Sequence, residues 1–249
     1  MFRDEPDILY KREFFTPDEG RSAMTDDIVD VRKSVALWGT RREVLSRVIG
    51  FEALEAIEER IDRLDHVVAN EYFCHEAGHM LGHDVLTKYG RGYFRLNGAM
   101  LWPLAFVEEL RADLHALGFA LDLLPPDRAV AIFLYNVALR FGVHAAAQPG
   151  GKAYGSVPYL LFHLLASCGF VGVERRGGRA RVALRLFDTA FALEAMRVCS
   201  EHGQKYLTAI EIESDDLGDA AINAARYHRR RIEDVAVRAS FTKVFAGGR

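Results

Sequence analysis

Cysteine is scarce in this chain of 249 residues, which has only Cys74, Cys168 and Cys199, and no two of them have the close spacing of a metal-binding pair. Three thiols cannot all pair within one chain, so we expect reduced thiols and a cytoplasmic protein rather than a disulfide framework. A long apolar run is also lacking, because the longest uncharged stretch, residues 153–173, is interrupted by proline, histidine and glycine. We therefore expect no membrane-spanning helix.

Charge of one sign is not in large excess. The formal net charge of −3 gives no overall attraction to nucleic acid or to an anionic membrane. Arginines do cluster within residues 175–185 and 226–231, and a nucleic-acid surface there is the alternative to solvated faces. Because acidic residues lie close by in the sequence, we predict no nucleic-acid partner and no membrane partner.

The chain is long enough, and at 50% apolar residues hydrophobic enough, to form one compact domain. We predict a loosely ordered N-terminal extension over residues 1–25 and a single domain over 26–245. Valines and leucines alternate between residues 170 and 187 around Gly177-Gly178, which predicts a β-hairpin. The expected fold class is mainly α, since helical periodicity covers residues 27–37, 42–68, 69–89, 103–123, 127–147, 157–167, 188–211 and 215–238.

The most specific pattern in the chain is a pair of histidines four residues apart with a glutamate beside the first, His75-Glu76-Ala77-Gly78-His79. On a helix of about 3.6 residues per turn, both imidazoles project from one face and can bind a single metal ion. The adjacent carboxylate can accept a proton from water. The alternative is two ordinary helix histidines that bond to water or to backbone.

A second helix supplies an acidic pair with the same spacing, Glu109 and Asp113. Glu109 can complete a zinc shell, while Asp113 can accept the outer N–H of a ligand histidine. Otherwise the two acids are solvated. Small residues favour the metal site, because they let the two helices approach closely. They are Gly78 and Gly82 on the histidine helix, and Ala112, Ala116 and Ala120 on the acidic helix.

His83 is a rival third ligand, but it follows His75 by eight residues. That separation is about 12 Å of helical rise, too far for both to bind an ion through bonds of about 2 Å. We interpret His83 as a helix-end histidine that either lines the pocket or bonds locally. Cys74 projects about 100° away from His75, which indicates core packing rather than metal binding.

These residues carry a family resemblance. His75-Glu76-x-x-His79 followed by Glu109-x-x-x-Asp113 resembles the gluzincin metallopeptidases of the thermolysin type. Residues 108–113, Glu-Glu-Leu-Arg-Ala-Asp, are similar to the Glu-Glu-x-Arg-Ala-acid segment of the dipeptidyl peptidase III family. The resemblance covers about residues 71–121. It implies a zincin-like domain in which Glu109 is the third zinc ligand and Asp113 supports a histidine. Dipeptidyl peptidase III has one extra residue between its histidines, so its substrate specificity is not transferred.

The chemistry expected of this ligand set is hydrolysis. Zn²⁺ polarises a carbonyl oxygen, and Glu76 takes a proton from the attacking water. A polar stripe of Asn136, Arg140 and His144 lies on an otherwise apolar helix. In one interpretation Arg140 grips a substrate carboxylate and His144 lies over the oxyanion. In the other the stripe forms a buried network, with Arg140 paired to Asp113 or another acid.

Three functions follow. The first is a zinc peptidase or amidase acting on short peptides. The second is a zincin-like enzyme of small-molecule metabolism that uses the metal as a Lewis acid. The third is a binding protein stabilised by structural zinc. The residues before His75 show helical periodicity, so no edge strand that could pair with a peptide is predicted there. The sequence leaves the oligomeric state open.

Overall fold

The computed structural model describes residues 8–10, 14–15, 22–23, 28–82, 94–144, 153–185 and 188–232. His83 and the side chain of His144 lie outside the described residues. The helices are α1 (Val31–Ile49), α2 (Phe51–Arg60), α3 (Leu64–Gly78), α4 (Trp102–Leu123), α5 (Pro126–Ala138), α6 (Ala153–Ser167), α7 (Thr189–His202), α8 (Thr208–Ile212) and α9 (Leu217–Ile232). Two π-helical segments, Leu139–His144 and Gly203–Leu207, continue α5 and α7. The mainly helical fold predicted from the sequence is confirmed.

Among the described residues, the strands form four antiparallel pairs. β1 (Ile8–Tyr10) pairs with β4 (Ile28–Asp30), and β2 (Phe14–Phe15) pairs with β3 (Ser22–Ala23). The sequence analysis predicts no strand in this N-terminal segment. Because β4 occupies residues 28–30, α1 begins at Val31 rather than at residue 27.

The predicted hairpin is present, with β7 (Val171–Arg176) paired to β8 (Arg179–Leu184). Gly177 and Gly178 form its turn and both have positive φ, the conformation that a tight two-residue hairpin turn requires. A shorter hairpin joins β5 (Arg95–Leu96) to β6 (Ala99–Met100). Its turn, Asn97-Gly98, also has two positive φ angles and is a strong hairpin signal that the sequence analysis does not use.

Helix boundaries in the first third of the chain differ from the predicted ones. α1 continues through Gly39 to Ile49, where two helices are predicted. The break comes at Gly50, whose φ of +89° favours glycine and ends the helix. α3 then ends at Gly78, with His75 in its last turn and His79 as the C-cap residue that follows.

α4 is the central element of the fold. It packs against α3, α5, α6, α7 and α9, and its leucines and valines are buried along most of its length. The two helices that carry the candidate ligands are therefore neighbours in the core. Within the described part of the chain, no helix combines the length and the apolarity needed to cross a membrane.

Candidate metal centre

The two motif histidines meet at the C-terminal end of α3. Their rings lie edge to face with centroids 4.7 Å apart, and the Nε2 atoms of His75 and His79 are 3.1 Å apart. Glu109 of α4 faces them, with Oε2 at 3.5 Å from His75 Nε2. One potential ligand atom from each of the three side chains lies within 4.8 Å of the other two. The structure thus brings together the three residues that the sequence predicts as metal ligands.

Each histidine is oriented by a carboxylate on α4. His75 Nδ1 is 2.8 Å from Asp113 Oδ1, and His79 Nδ1 is 2.9 Å from Glu108 Oε1. An ionised carboxylate only accepts hydrogen bonds, so each ring donates from Nδ1 and directs Nε2 towards the other histidine and Glu109. The predicted contact between Asp113 and a motif histidine is present. The equivalent role of Glu108 is not anticipated from the sequence.

Three electron-pair donors therefore converge on one point. With Nδ1 protonated, each neutral ring presents an Nε2 lone pair, and two lone pairs 3.1 Å apart cannot bond to each other. Glu109 Oε2 is buried and has no hydrogen-bond donor, because its 3.5 Å separation from His75 Nε2 is too long for a normal hydrogen bond. A cation at this point satisfies all three atoms. Two imidazoles and one carboxylate are the protein ligands of a catalytic zinc site.

The electrostatics of the site also favour bound positive charge. Burial opposes ionisation of both His75 and Glu109, yet Asp113 and Glu109 raise the pKa of His75 well above its usual range. Conversely, despite the opposing effect of burial, the nearby His75 and the charge of His79 lower the pKa of Glu109. The site consequently holds a proton tightly, and a divalent cation competes for the same atoms.

Asp113 is fixed by a third helix. Arg140, in the π-helical segment after α5, donates from Nε to Oδ2 and from Nη2 to Oδ1, both at 2.7 Å. Asn136 Nδ2 donates to Asp113 Oδ1 at 3.2 Å and to Glu71 Oε1 at 2.9 Å. Although burial opposes it, the charge of Arg140 and the bond from His75 hold the pKa of Asp113 well below its usual range. Of the two interpretations of this stripe, the arginine–carboxylate pair with Asp113 is the arrangement in the structure.

Glu108 is fixed by Arg111, one turn further along α4. Arg111 donates to Glu108 Oε2 through Nε at 3.0 Å and through Nη2, and Nη1 reaches the Gly78 carbonyl at 3.1 Å. Glu211 of α8 adds a carboxylate 3.6 Å from Arg111 Nε. Glu108, Arg111 and Glu211 are fully buried and are missed by the sequence analysis. His79, like His75, needs an acceptor for its Nδ1–H if it binds a metal through Nε2. This requirement could have identified Glu108, the glutamate adjacent to Glu109, from the sequence.

The close approach of the two helices depends on small side chains. A Cβ added to Gly78 would lie 2.5 Å from the carbonyl oxygen of Ala112 and 2.9 Å from its Cα. No larger residue fits there without separating α3 from α4. The predicted close approach is therefore present at Gly78, whereas Gly82 lies beyond the end of α3, where its φ is +95° and an added Cβ would meet Glu211.

Glu76 is buried on α3, one residue after His75 and three before His79. Residues three apart are neighbours on a helix surface, so its carboxylate lies on the side of α3 that carries His79. Cys74 is buried on another side of α3, and desolvation, together with the charge of Glu71, raises the pKa of its thiol to about 11. Such a thiol stays protonated and packs as a core residue.

Carboxylates outnumber arginines around the histidines. Among the described residues, the acids are Glu71, Glu76, Glu108, Glu109, Asp113 and Glu211, and the arginines are Arg111 and Arg140. Burial raises the pKa of Glu71 and favours its neutral form. An excess of buried negative charge still remains, and it is costly unless a cation compensates it.

Two of the three candidate ligands are partly accessible to solvent. The side chain of Glu109 is 15% exposed and that of His79 is 10% exposed, whereas Glu108 and Asp113 are closed off behind them. No protein-family model and no curated protein sequence matches this chain.

Proposed function

We propose that the protein is a zinc-dependent hydrolase that cleaves an amide or peptide bond, with His75, His79 and Glu109 as the metal ligands. The observation that carries the proposal is the convergence of the Nε2 atoms of His75 and His79, 3.1 Å apart, with the buried Oε2 of Glu109, three atoms that one divalent cation can bind together. A zinc ion held there would supply Lewis acidity, which acidifies water and polarises a carbonyl oxygen.

The protein's own residues have distinct parts in this chemistry. Asp113 and Glu108 accept from Nδ1 of His75 and His79, so that Nε2 of each ring is directed towards the metal position. Glu76 takes a proton from the attacking water and delivers it to the leaving amine. The partial exposure of Glu109 and His79 leaves room for water and substrate, which a closed structural site lacks.

A compact substrate is favoured over a long extended peptide. α3 packs against α1, α4 and α5, and helix backbones already satisfy their own hydrogen bonds. Recognition next to the histidines therefore depends on side chains rather than on strand pairing. This also supports, as a second candidate, an enzyme of small-molecule metabolism that uses the metal as a Lewis acid without hydrolysing a peptide.

The test separates metal binding from chemistry. Glu76→Gln should retain one equivalent of zinc by elemental analysis while amide hydrolysis falls by at least about a hundredfold, the lower range for loss of a general base. Glu213→Gln, a change at an exposed glutamate, is the matched control and should keep full activity.

Screening would use a panel of acylated amino acids and dipeptides with the zinc-loaded protein. Full turnover by Glu76→Gln would refute the general-base role. Wild-type protein that takes up no zinc, or that keeps the zinc when His75→Ala and His79→Ala are combined, would refute the metal centre.

A further inference from the structure

We propose that Trp102 and Phe106 form a binding site for an aromatic or large apolar group of the substrate, directly beside the metal centre. We call the surface made by Trp102, Phe106 and the ring of His228 the aromatic ledge. This inference rests on the proposed function, because it assigns a substrate class to the same site.

The ledge is on the same stripe of α4 as the site residues. Trp102, Phe106, Glu109 and Asp113 are separated by four, three and four residues. At about 100° per residue, all four side chains project within an arc of about 60°. A ligand that reaches Glu109 along α4 must therefore pass over the two aromatic rings.

The tilt of helical side chains also places the Glu109 carboxylate next to the aromatic ledge. Side chains on an α-helix lean towards its N-terminus, so the Glu109 carboxylate extends over the turn that carries Phe106. The site also opens on this side, since the side chain of Glu109 is 15% exposed and that of Asp113 only 1%. The ledge thus borders the entrance and not the closed rear of the site.

The rings are arranged as a platform. Trp102 and Phe106 are stacked, with centroids 6.0 Å apart and planes 30° apart, and the His228 ring of α9 lies 5.4 Å from Phe106. Trp102, one of the two tryptophans in the chain, is 50% exposed. Aromatic side chains that are held by neighbours and partly exposed are typical of binding surfaces, because they add contact area with little loss of entropy.

The chemistry of the ledge selects its ligand. It offers exposed aromatic surface, which is stabilised most by covering an apolar group such as a phenyl ring. Arg140, the candidate for gripping a substrate carboxylate, has its guanidinium bound to Asp113 and is buried. The preferred substrate is therefore an amide with an aromatic or bulky apolar substituent near the reacting carbonyl.

Two hydroxamates test this inference without any turnover. Acetohydroxamic acid carries only the metal-chelating group, and 3-phenylpropanohydroxamic acid adds a phenyl ring. By titration calorimetry with zinc-loaded protein, the phenyl compound should bind at least about tenfold more tightly, as expected for burying an aromatic ring. Trp102→Ala and Phe106→Ala should each reduce that preference, and the double variant should abolish it while the Kd of acetohydroxamic acid stays unchanged.

Control variants address folding and specificity. Phe51→Ala removes an aromatic residue that is equally exposed, at 49%, on α2, which carries no ligand. It should keep the full preference. Phe106→Leu keeps an apolar side chain of similar bulk without a ring and should retain part of the preference for the phenyl compound.

The other possible results of the titrations would contradict either the aromatic ledge alone or the metal centre as well. Equal affinity of the two hydroxamates for zinc-loaded wild-type protein, or a preference that survives in the double variant, would overturn the aromatic ledge and leave the metal centre standing. Protein that binds neither zinc nor either hydroxamate would overturn the metal centre and the ledge together.

Discussion

Asp113 links the candidate metal ligands to the rest of the core. It accepts from His75 on α3, from Asn136 on α5 and from Arg140 in the π-helical segment. A buried carboxylate with one donor missing keeps its charge but loses part of its compensation, which is more costly than removing an exposed ion pair. The orientation of His75 therefore depends on a residue 65 positions later in the sequence.

Arg140→Met should destabilise the protein and weaken its affinity for zinc. Breaking a buried ion pair typically costs about 3–5 kcal/mol of the free energy of unfolding. Loss of a residue that orients a ligand through its carboxylate typically weakens metal affinity by about 10- to 100-fold. Urea denaturation and competition with a chromogenic chelator measure these two quantities.

Arg197→Met is the control for Arg140→Met. Arg197 pairs with Glu194 and Glu201 on the exposed face of α7, where water screens the charges, so its loss should leave both quantities nearly unchanged. Wild-type stability together with wild-type zinc affinity in Arg140→Met would show that the Asp113–Arg140 pair does not orient His75.

At the scale of elements, the proposed metal centre is a consequence of how α3 and α4 cross. His75 comes from the last turn of α3 and His79 from its C-cap, whereas Glu108, Glu109 and Asp113 come from the middle of α4. Neither helix holds all three ligands. Their separation is set at the contact of Gly78 with the Ala112 backbone, so a change in that contact moves the ligands relative to one another.

Gly78→Ala should separate the helices and weaken zinc binding. The added methyl group would meet the Ala112 carbonyl at 2.5 Å, and the overpacking should cost about 1–3 kcal/mol of the free energy of unfolding. Thermal unfolding with and without zinc measures the loss.

Gly39→Ala in α1 is the matched control, because nothing lies within 4 Å of the added Cβ. It should stabilise the protein by about 0.5–1 kcal/mol through helix propensity alone. If Gly78→Ala were stabilising by a similar amount, the proposed role of the close helix contact would be wrong.

At the scale of the whole molecule, the fold encloses more carboxylates than arginines around the histidines. Protons and divalent cations are the two ways to compensate them. His75 has a pKa raised well above its usual range, through Asp113 and Glu109 and against the effect of burial. The stabilisation from its proton is therefore complete below about pH 6.5, the value for an unfolded histidine, and is lost as the pH rises through the folded pKa.

Zinc should stabilise the fold more at pH 8 than at pH 6. Zinc needs the neutral form of His75, so the metal must displace a proton that is held more tightly at lower pH. The increase in Tm produced by zinc, at free zinc buffered to one concentration, should thus grow with pH. Differential scanning calorimetry measures it, and an increase that is constant or larger at pH 6 would contradict competition between the proton and zinc at His75.

The structural features that depend on local interactions could be predicted from the sequence. The spacing of His75, His79, Glu109 and Asp113 is a property of helical periodicity, and the Gly177-Gly178 turn is a property of backbone conformation. Both are short-range, so the mainly helical fold and its β7–β8 hairpin could be predicted. The break at Gly50 could not, because glycine is also tolerated inside α1 at Gly39 and the sequence does not distinguish the two.

Only the tertiary structure decided which partners the polar residues take. Arg140 could be assigned to a substrate or to a buried acid, and the packing of α5 against α3 and α4 places it on Asp113. Glu211 reaches Arg111 from α8, 100 residues away in the sequence, and nothing local records that contact. Periodicity fixes which face of a helix a side chain occupies, whereas the crossing of helices fixes what that face meets.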